Sequence, residues 1–346
     1  MMRIDRLCLH DGLGELRAAA FAGHRPAALF AQPLEDTGRA RLGQVFAARL
    51  GADAPEPGGW FVKLANGEEA FLRKRPEGLT EGGAFNAEIA SEARRGKLAR
   101  VRPAASRADR PSAALDLWRA RLPGADTLEF ETGREALADI EAAFDEALSP
   151  SLTLPGGGRL TLTRTPALTA IDIDTAGRRA AGPAGARART VNLTAIEEAA
   201  RQLSLRGLGG LVVIDCLAPL PRALGRELKS VFLTHFRALS ARPAEALAPS
   251  PFGLMEISLA WGETPLDELF LDASGAPTPR FDLLTGLRRL ETEAVARPAD
   301  RLTLALPAPA HDLYAAPGAP YADRIASRYG ARVSVTVSGR QSIEVY

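Results

Sequence analysis

Two short runs, each ending on an aspartate, constrain this chain more than any other feature. Thr169-Ala170-Ile171-Asp172-Ile173-Asp174 (TAIDID) closes an alternating segment that begins in GGGRLTLTRTPAL, and Leu211-Val212-Val213-Ile214-Asp215 follows the glycines of GLGG. Alternating or β-branched runs bounded by glycine and proline read as strands, and the second, apolar throughout, reads as a buried one. Between them, NLTAIEEAARQLSLR from Asn192 sets Leu193, Ile196, Ala200 and Leu203 on one helical face. Thr194 and Glu197 are spaced as a capping box, and Gly207 is placed to end the helix. The intervening AGRRAAGPAGARART reads as a basic loop with Arg178, Arg179, Arg187 and Arg189. Strand, loop, helix, strand makes a crossover unit with parallel strands, so Asp172 and Asp215 fall at the C-terminal ends where α/β sheets bind ligands.

Either aspartate alone is explained equally well by capping a turn. Together they are not, because two carboxylates brought to one place repel unless a cation or a proton lies between them. Two acidic side chains with open positions suit Mg2+, a hard ion that keeps several waters and accepts phosphate as a co-ligand. The arginines of the following loop supply guanidinium groups for such a phosphate.

Upstream, residues 1 to about 35 read as short strands with a hairpin at Gly23. VFAARL, GGWFVKLANGEEAFLR and NAEIASEARRGKLARVRP then alternate between Gly, Asn and Pro turns. That pattern predicts a small β-barrel of the OB type, with Phe61 and Phe71 on neighbouring strands. Such a pair serves either as barrel core or as a stacking platform for unpaired bases. The stretch 94–121 is basic and dotted with proline, and 134–149 has the spacing of an amphipathic helix.

Composition narrows the function classes. With 346 residues, 46% hydrophobic, the chain is long enough for several packed units, and a net charge of +1 says nothing about partners. Cys8 and Cys216 make neither a disulfide framework nor a thiolate metal site, and the four histidines lack ligand spacing, which argues against zinc. The N-terminus has no signal-peptide pattern and no apolar run has transmembrane length, so a soluble protein of the reducing cytoplasm, with no membrane partner, is expected.

TAIDID, NLTAIEEAARQLSLRGLGGLVVID and FGLMEIS together resemble the catalytic core of the bacterial ribonuclease E/G family, and the likeness extends more weakly over most of the chain. The resemblance implies a mixed α/β protein with RNase H-like and DNase I-like subdomains and an inserted OB-type barrel. The expected division is N-terminal strands in 1–36, the barrel in 37–102, a basic linker and the rest of the RNase H-like part in 103–150, the DNase I-like part in 151–270, and a small C-terminal domain in 271–346. It implies a Mg2+-dependent endoribonuclease acting on single-stranded RNA. Asp172 and Asp215 match the metal-binding carboxylates, Phe61 and Phe71 the barrel aromatics that hold RNA, and Lys97 the barrel's basic contact. Arg178 is the loop residue expected at the RNA backbone.

The departures are specific. Asp174 stands where the family has an asparagine that orients the site, and Pro251 and Leu259 where it has arginines. No cysteine follows Leu259, so a zinc-linked tetramer is not expected, although the resemblance leaves room for a homodimer. Between residues 103 and 122 the family's pocket for a 5′-monophosphate has no counterpart, so 5′-end sensing is not expected. The competing reading is an RNA-binding protein that keeps the scaffold without catalysis.

Overall fold

A computed structural model describes residues 3–56, 58–105, 112–175 and 184–346. The chain opens with an antiparallel meander, β1 (Arg6–Asp11), β2 (Glu15–Ala22) and β3 (Arg25–Pro33). Gly23 makes the β2–β3 turn at φ +63°, a conformation that favours glycine, and its N–H donates to the Asp5 carboxylate at 3.0 Å.

Five strands then close into a barrel: β4 (Val45–Ala54), β5 (Gly59–Leu64), β6 (Glu69–Leu72), β7 (Ala84–Ser91) and β8 (Ala99–Pro103), in the order β4-β5-β6-β8-β7. All neighbours are antiparallel except β6 and β8. The pattern is of the OB kind read from the sequence. Alternate residues fill the interior, among them Phe46, Leu50, Val62, Leu72, Ile89 and Val101. After the barrel come α1 (Ala114–Ala120), β9 (Phe130–Glu131), which pairs parallel with β1, and α2 (Arg134–Leu148). The barrel is thus inserted within a four-stranded sheet. Its alanine-rich strand β2 packs Ala19 and Phe21 against α2 and Ala18 and Ala20 against Trp118 of α1.

A six-stranded sheet carries both aspartates. Its strands are β10 (Ser151–Thr153), β11 (Arg159–Arg164), β12 (Thr169–Asp174), β13 (Gly210–Asp215), β14 (Ala244–Ala246) and β15 (Leu254–Leu259), ordered β10-β11-β12-β13-β15-β14. Helix α3 (Ala184–Leu205) connects β12 to β13, which are parallel neighbours, and α4 (Arg222–Leu239) follows β13. Leu160, Ile171, Ile173, Val212, Ile214 and Ile257 point to one face and pack under Ile196 and Leu203 of α3 and Leu228 and Phe232 of α4. Burying each such side chain contributes on the order of 1.5–3 kcal/mol, which fixes the strand faces. On the other face Thr161, Asp172, Asp174, Val213, Asp215, Leu254 and Glu256 are exposed or half-buried. Among the described residues no helix packs on that face.

Helix α3 starts eight residues earlier than the sequence reading placed it. Ala186 to Arg189 belong to the helix and not to a loop. Alanine and arginine rank among the best helix formers, and one glycine at 185 does not outweigh them. Thr194 therefore lies inside the helix, its hydroxyl donating to the Thr190 carbonyl at 3.1 Å, and makes no capping box with Glu197.

Beyond the sheet, α5 (Leu266–Phe270) and α6 (Pro279–Ala296) lead to β16 (Leu302–Leu306), α7 (Ala308–Tyr314), α8 (Tyr321–Tyr329), β17 (Val333–Val337) and β18 (Glu344–Val345), the strands forming one small sheet. Glu92, directly after β7 in the connection to β8, joins the parts. Its carboxylate is 4% exposed and accepts from Leu42 N, from Thr264 N and Oγ1, and from Arg41.

Candidate active site

Asp172 and Asp215 are register partners across β12 and β13. Ile171, Ile173 and Ile214 turn into the helix-covered core, so strand alternation delivers both carboxylates to the open face. Neighbouring strands lie about 4.8 Å apart, close enough for two carboxylates to hold one ion. Thr161 and Leu254 extend the same cross-strand row on either side. Among the described residues neither aspartate has a hydrogen bond or an ion pair. Like charges placed directly opposite on a sheet destabilise it, and the described part of the fold supplies no compensating cation. A hard divalent ion fits this donor set. Among the described residues no cluster of three or more Asp, Glu, His or Cys stands ready to bind a metal. An ion held by this pair would take its other ligands from water and phosphate oxygens. Asp174 lies on the same face two residues on, in register with Arg159 of β11.

The ends of these strands are held by neighbours that fix the backbone around the carboxylates. Asn192, fully buried on α3, grips the segment after Asp215: its Nδ2 donates to the Leu217 carbonyl and its Oδ1 accepts from Leu217 N, both at 2.9 Å. Cys216 N donates to the Gly253 carbonyl at 3.1 Å. Gly253 has φ +90°, and a Cβ there would lie 3.2 Å from the Cys216 carbonyl oxygen and 3.8 Å from Asp215 Oδ1, so the turn before β15 sits against the carboxylate. Burial, with the Asp215 charge beside it, pushes the Cys216 thiol up to about 12.

The glycines of GLGG have a purpose the strand reading did not give them. Trp261, directly after β15, lays its indole on Gly209 and Gly210, where added Cβ atoms would come within 2.9 and 2.8 Å of the ring. This anchors the end of β13 opposite to Asp215.

On the barrel, Phe61 and Phe71 face each other across β5 and β6, both on the outer surface, with Phe61 42% exposed. Gly59 has no Cβ for a reason: one would lie 2.4 Å from Phe71 Cζ. Arg100 of β8 is the register partner of Phe71. Lys97 is exposed in the hairpin turn bridged to Arg94. The Arg94 guanidinium lies 4.1 Å from the Trp261 ring centre. Its pKa is lowered by burial first and then by the like charges of Arg100 and Arg164. Phe61, Phe71, Arg100 and Arg94 therefore form an aromatic and basic series that reaches from the barrel to Trp261. From there β13 spans roughly 16 Å to Asp215, at about 3.3 Å per residue. Arg178 lies outside the described residues. Arg187 and Arg189, taken as loop arginines, sit on α3, where Arg189 pairs with Glu227 of α4. Arg94, Arg100 and Asn192 do not stand out in the sequence, because only tertiary pairing distinguishes them from other polar residues nearby.

A cavity of about 370 Å3 lies elsewhere, in the seam between the N-terminal sheet, the barrel and the six-stranded sheet. Arg41, Arg121, Arg206, Arg242, Glu92 and Glu263 line it together with apolar side chains, and it includes none of the aspartates. The open sheet face is the better candidate for chemistry, because Asp172 and Asp215 stand there as register partners.

Residues 125–260 match the family model described as Ribonuclease E/G family. The match contains both aspartate-ended strands, the helix between them and the whole of β15. This segment is what the chain shares with the Ribonuclease E/G family. Ribonuclease E of Haemophilus influenzae is 40% identical over 119 residues, which are 34% of this chain and 13% of that protein. Ribonuclease E of Escherichia coli is 37% identical over 129 residues, 34% of this chain and 11% of that protein. Ribonuclease G of Escherichia coli is 36% identical over 91 residues, 25% of this chain and 19% of that protein. The aligned part is thus a small fraction of each of these ribonucleases. Among the described residues no helix is long and apolar enough to cross a membrane.

Proposed function

We propose that this chain is an endoribonuclease that cuts single-stranded RNA with Mg2+ held by Asp172 and Asp215. The observation that carries the reading is the register pairing of these two carboxylates on an open sheet face. Held by Asp172 and Asp215, such an ion would supply activation of a water and stabilisation of charge on the scissile phosphate. The protein's own contribution is placement. Strands β12 and β13 hold the acidic oxygens side by side, and Asn192 and Gly253 fix the backbone that follows Asp215. Asp174, beside them, takes the orienting role. Phe61 and Phe71 stack unpaired bases on the barrel. Lys97 and Arg178 contact the backbone phosphates, and Arg100 and Arg94 extend that basic path toward the sheet.

In this reading the barrel (37–102) binds RNA, 151–270 is a DNase I-like catalytic part, 1–36 with 103–150 forms an RNase H-like part, and 271–346 is a small C-terminal domain that is the place for homodimer contacts. The protein acts in the cytoplasm, without a zinc link and without 5′-monophosphate sensing. The test is incubation of a fluorescent single-stranded RNA with Mg2+ and the wild-type, Asp172→Asn or Asp215→Asn protein. Cleavage by the wild type alone is expected. Cleavage surviving either substitution overturns the metal site, and binding without cleavage by the wild type replaces the reading with a non-catalytic RNA-binding protein. Equal rates on 5′-monophosphorylated and 5′-hydroxyl RNA are expected if no 5′ end is sensed.

A further inference from the structure

Phe252 is 89% exposed, the most exposed large apolar side chain among the described residues. A single exposed apolar residue is common on protein surfaces, so exposure alone decides nothing. Its setting is what matters. The Ser250–Gly253 turn is closed by Gly253 N donating to the Ser250 carbonyl at 2.9 Å and by Ser250 N donating to the Leu254 carbonyl at 2.9 Å, and Phe252 N donates to Ser250 Oγ at 3.3 Å. The same turn is tied to the residue after Asp215 by the Cys216 N bond to the Gly253 carbonyl. Phe252 is therefore carried on a hydrogen-bonded turn whose next residue abuts the Asp215 carboxylate. Leu254, itself 40% exposed and the register partner of Asp215, continues the apolar surface from the turn to the carboxylate row.

We propose that Phe252 is the base-stacking residue of the cleavage site: an unpaired nucleobase of the RNA strand, next to the phosphate at Asp172 and Asp215, lies on its ring. The inference rests on reading that pair as the place where RNA is cut. Electrostatics favours this form of contact. Glu256 shares the open face with the three aspartates, so a nucleotide there gains little from its charged backbone except at a bound cation. A π face offered to a base adds affinity without a second positive charge and without sequence preference, since every base has a stacking surface. It also selects for single strands, because a base already stacked in a duplex has no free face to offer.

The test uses the full chain and a short single-stranded RNA carrying 2-aminopurine at one position, moved along the strand in separate oligonucleotides, with Mg2+ present. Wild-type protein is expected to quench the probe at one position beside the cut, in addition to positions held by the barrel. Phe252→Ala should lose that quench and weaken binding or raise KM by about 5- to 150-fold, the range for one base stacked on an aromatic ring. Phe252→Trp should restore both. An unchanged thermal midpoint in both variants shows that the fold is intact. If Phe252→Ala binds, quenches and cuts as the wild type does, the stacking role is overturned while the nuclease reading stands. If the wild type shows the Phe252-dependent quench but never cuts, the nuclease reading falls and the stacking role stands.

Discussion

Asp172 and Asp215 are direct cross-strand partners on parallel strands, and both stand on the face of their sheet opposite to α3 and α4. Nothing in the described fold offsets their mutual repulsion. In chelator, Asp172→Asn should therefore be as stable as the parent or more stable, by up to about 1 kcal/mol. Mg2+ at ten times its dissociation constant should stabilise the parent by about 1.4 kcal/mol and the variant by much less. Thermal denaturation of both proteins with and without Mg2+ checks this, and a variant that loses stability in chelator contradicts it.

Phe61 and Phe71 occupy adjacent positions on the barrel's outer surface. Each alanine substitution should weaken single-stranded RNA binding by about 1–3 kcal/mol. Because the rings are neighbours, the double variant should lose less than the sum. Fluorescence anisotropy measures the affinities. Phe61→Ala should cost less than about 1 kcal/mol of stability, because its ring is already 42% in water.

Glu92 accepts four hydrogen bonds from groups on both sides of a buried seam. Removing the carboxylate leaves Arg41, 5% exposed, without its counter-charge and the Thr264 backbone N–H without its acceptor. Glu92→Ala should cost about 3–5 kcal/mol, read from the midpoint of urea denaturation. A cost under 1 kcal/mol would show that the seam holds without it.

Cys216 gives a pH dependence of known sign. Its thiol is pushed from the ordinary 9.0 up to about 12 by burial and the adjacent Asp215 charge, so the folded protein holds this proton more tightly than the unfolded chain. The stabilisation is fully present below pH 9 and is lost as pH rises toward 12. Cys216→Ala should flatten the stability decline expected of the wild type between pH 9 and 11, measured by denaturant titration at each pH. Native Cys216 should also resist alkylation at pH 8, where its thiolate is scarce.

The strands ending at Asp174 and Asp215, and the pairing of Phe61 with Phe71 on a barrel, were legible because alternation and turn residues are local signals. The start of α3 was not. The glycines and arginines of 175–189 suggest a loop, and only the helix's continuation into Asn192 brings Ala186 to Arg189 into it. Nor was Arg100 legible as the neighbour of Phe71. That neighbourhood depends on the parallel pairing of β6 with β8, whose residues lie 29 positions apart at that point. Gly209 and Gly210 looked like a simple turn, whereas the fold uses their missing side chains to seat Trp261.

By itself the sequence determined which residues alternate, where chain direction changes, and that two aspartates sit at strand ends, since these follow from side-chain order and backbone preference over a few residues. Only the tertiary structure decided that β12 and β13 are neighbours in a register that makes Asp172 and Asp215 partners, on the face opposite to α3 and α4. Register and coverage are settled by burying the apolar face of all six strands against α3 and α4 at once. That gain belongs to the assembled sheet and to no single segment of the chain.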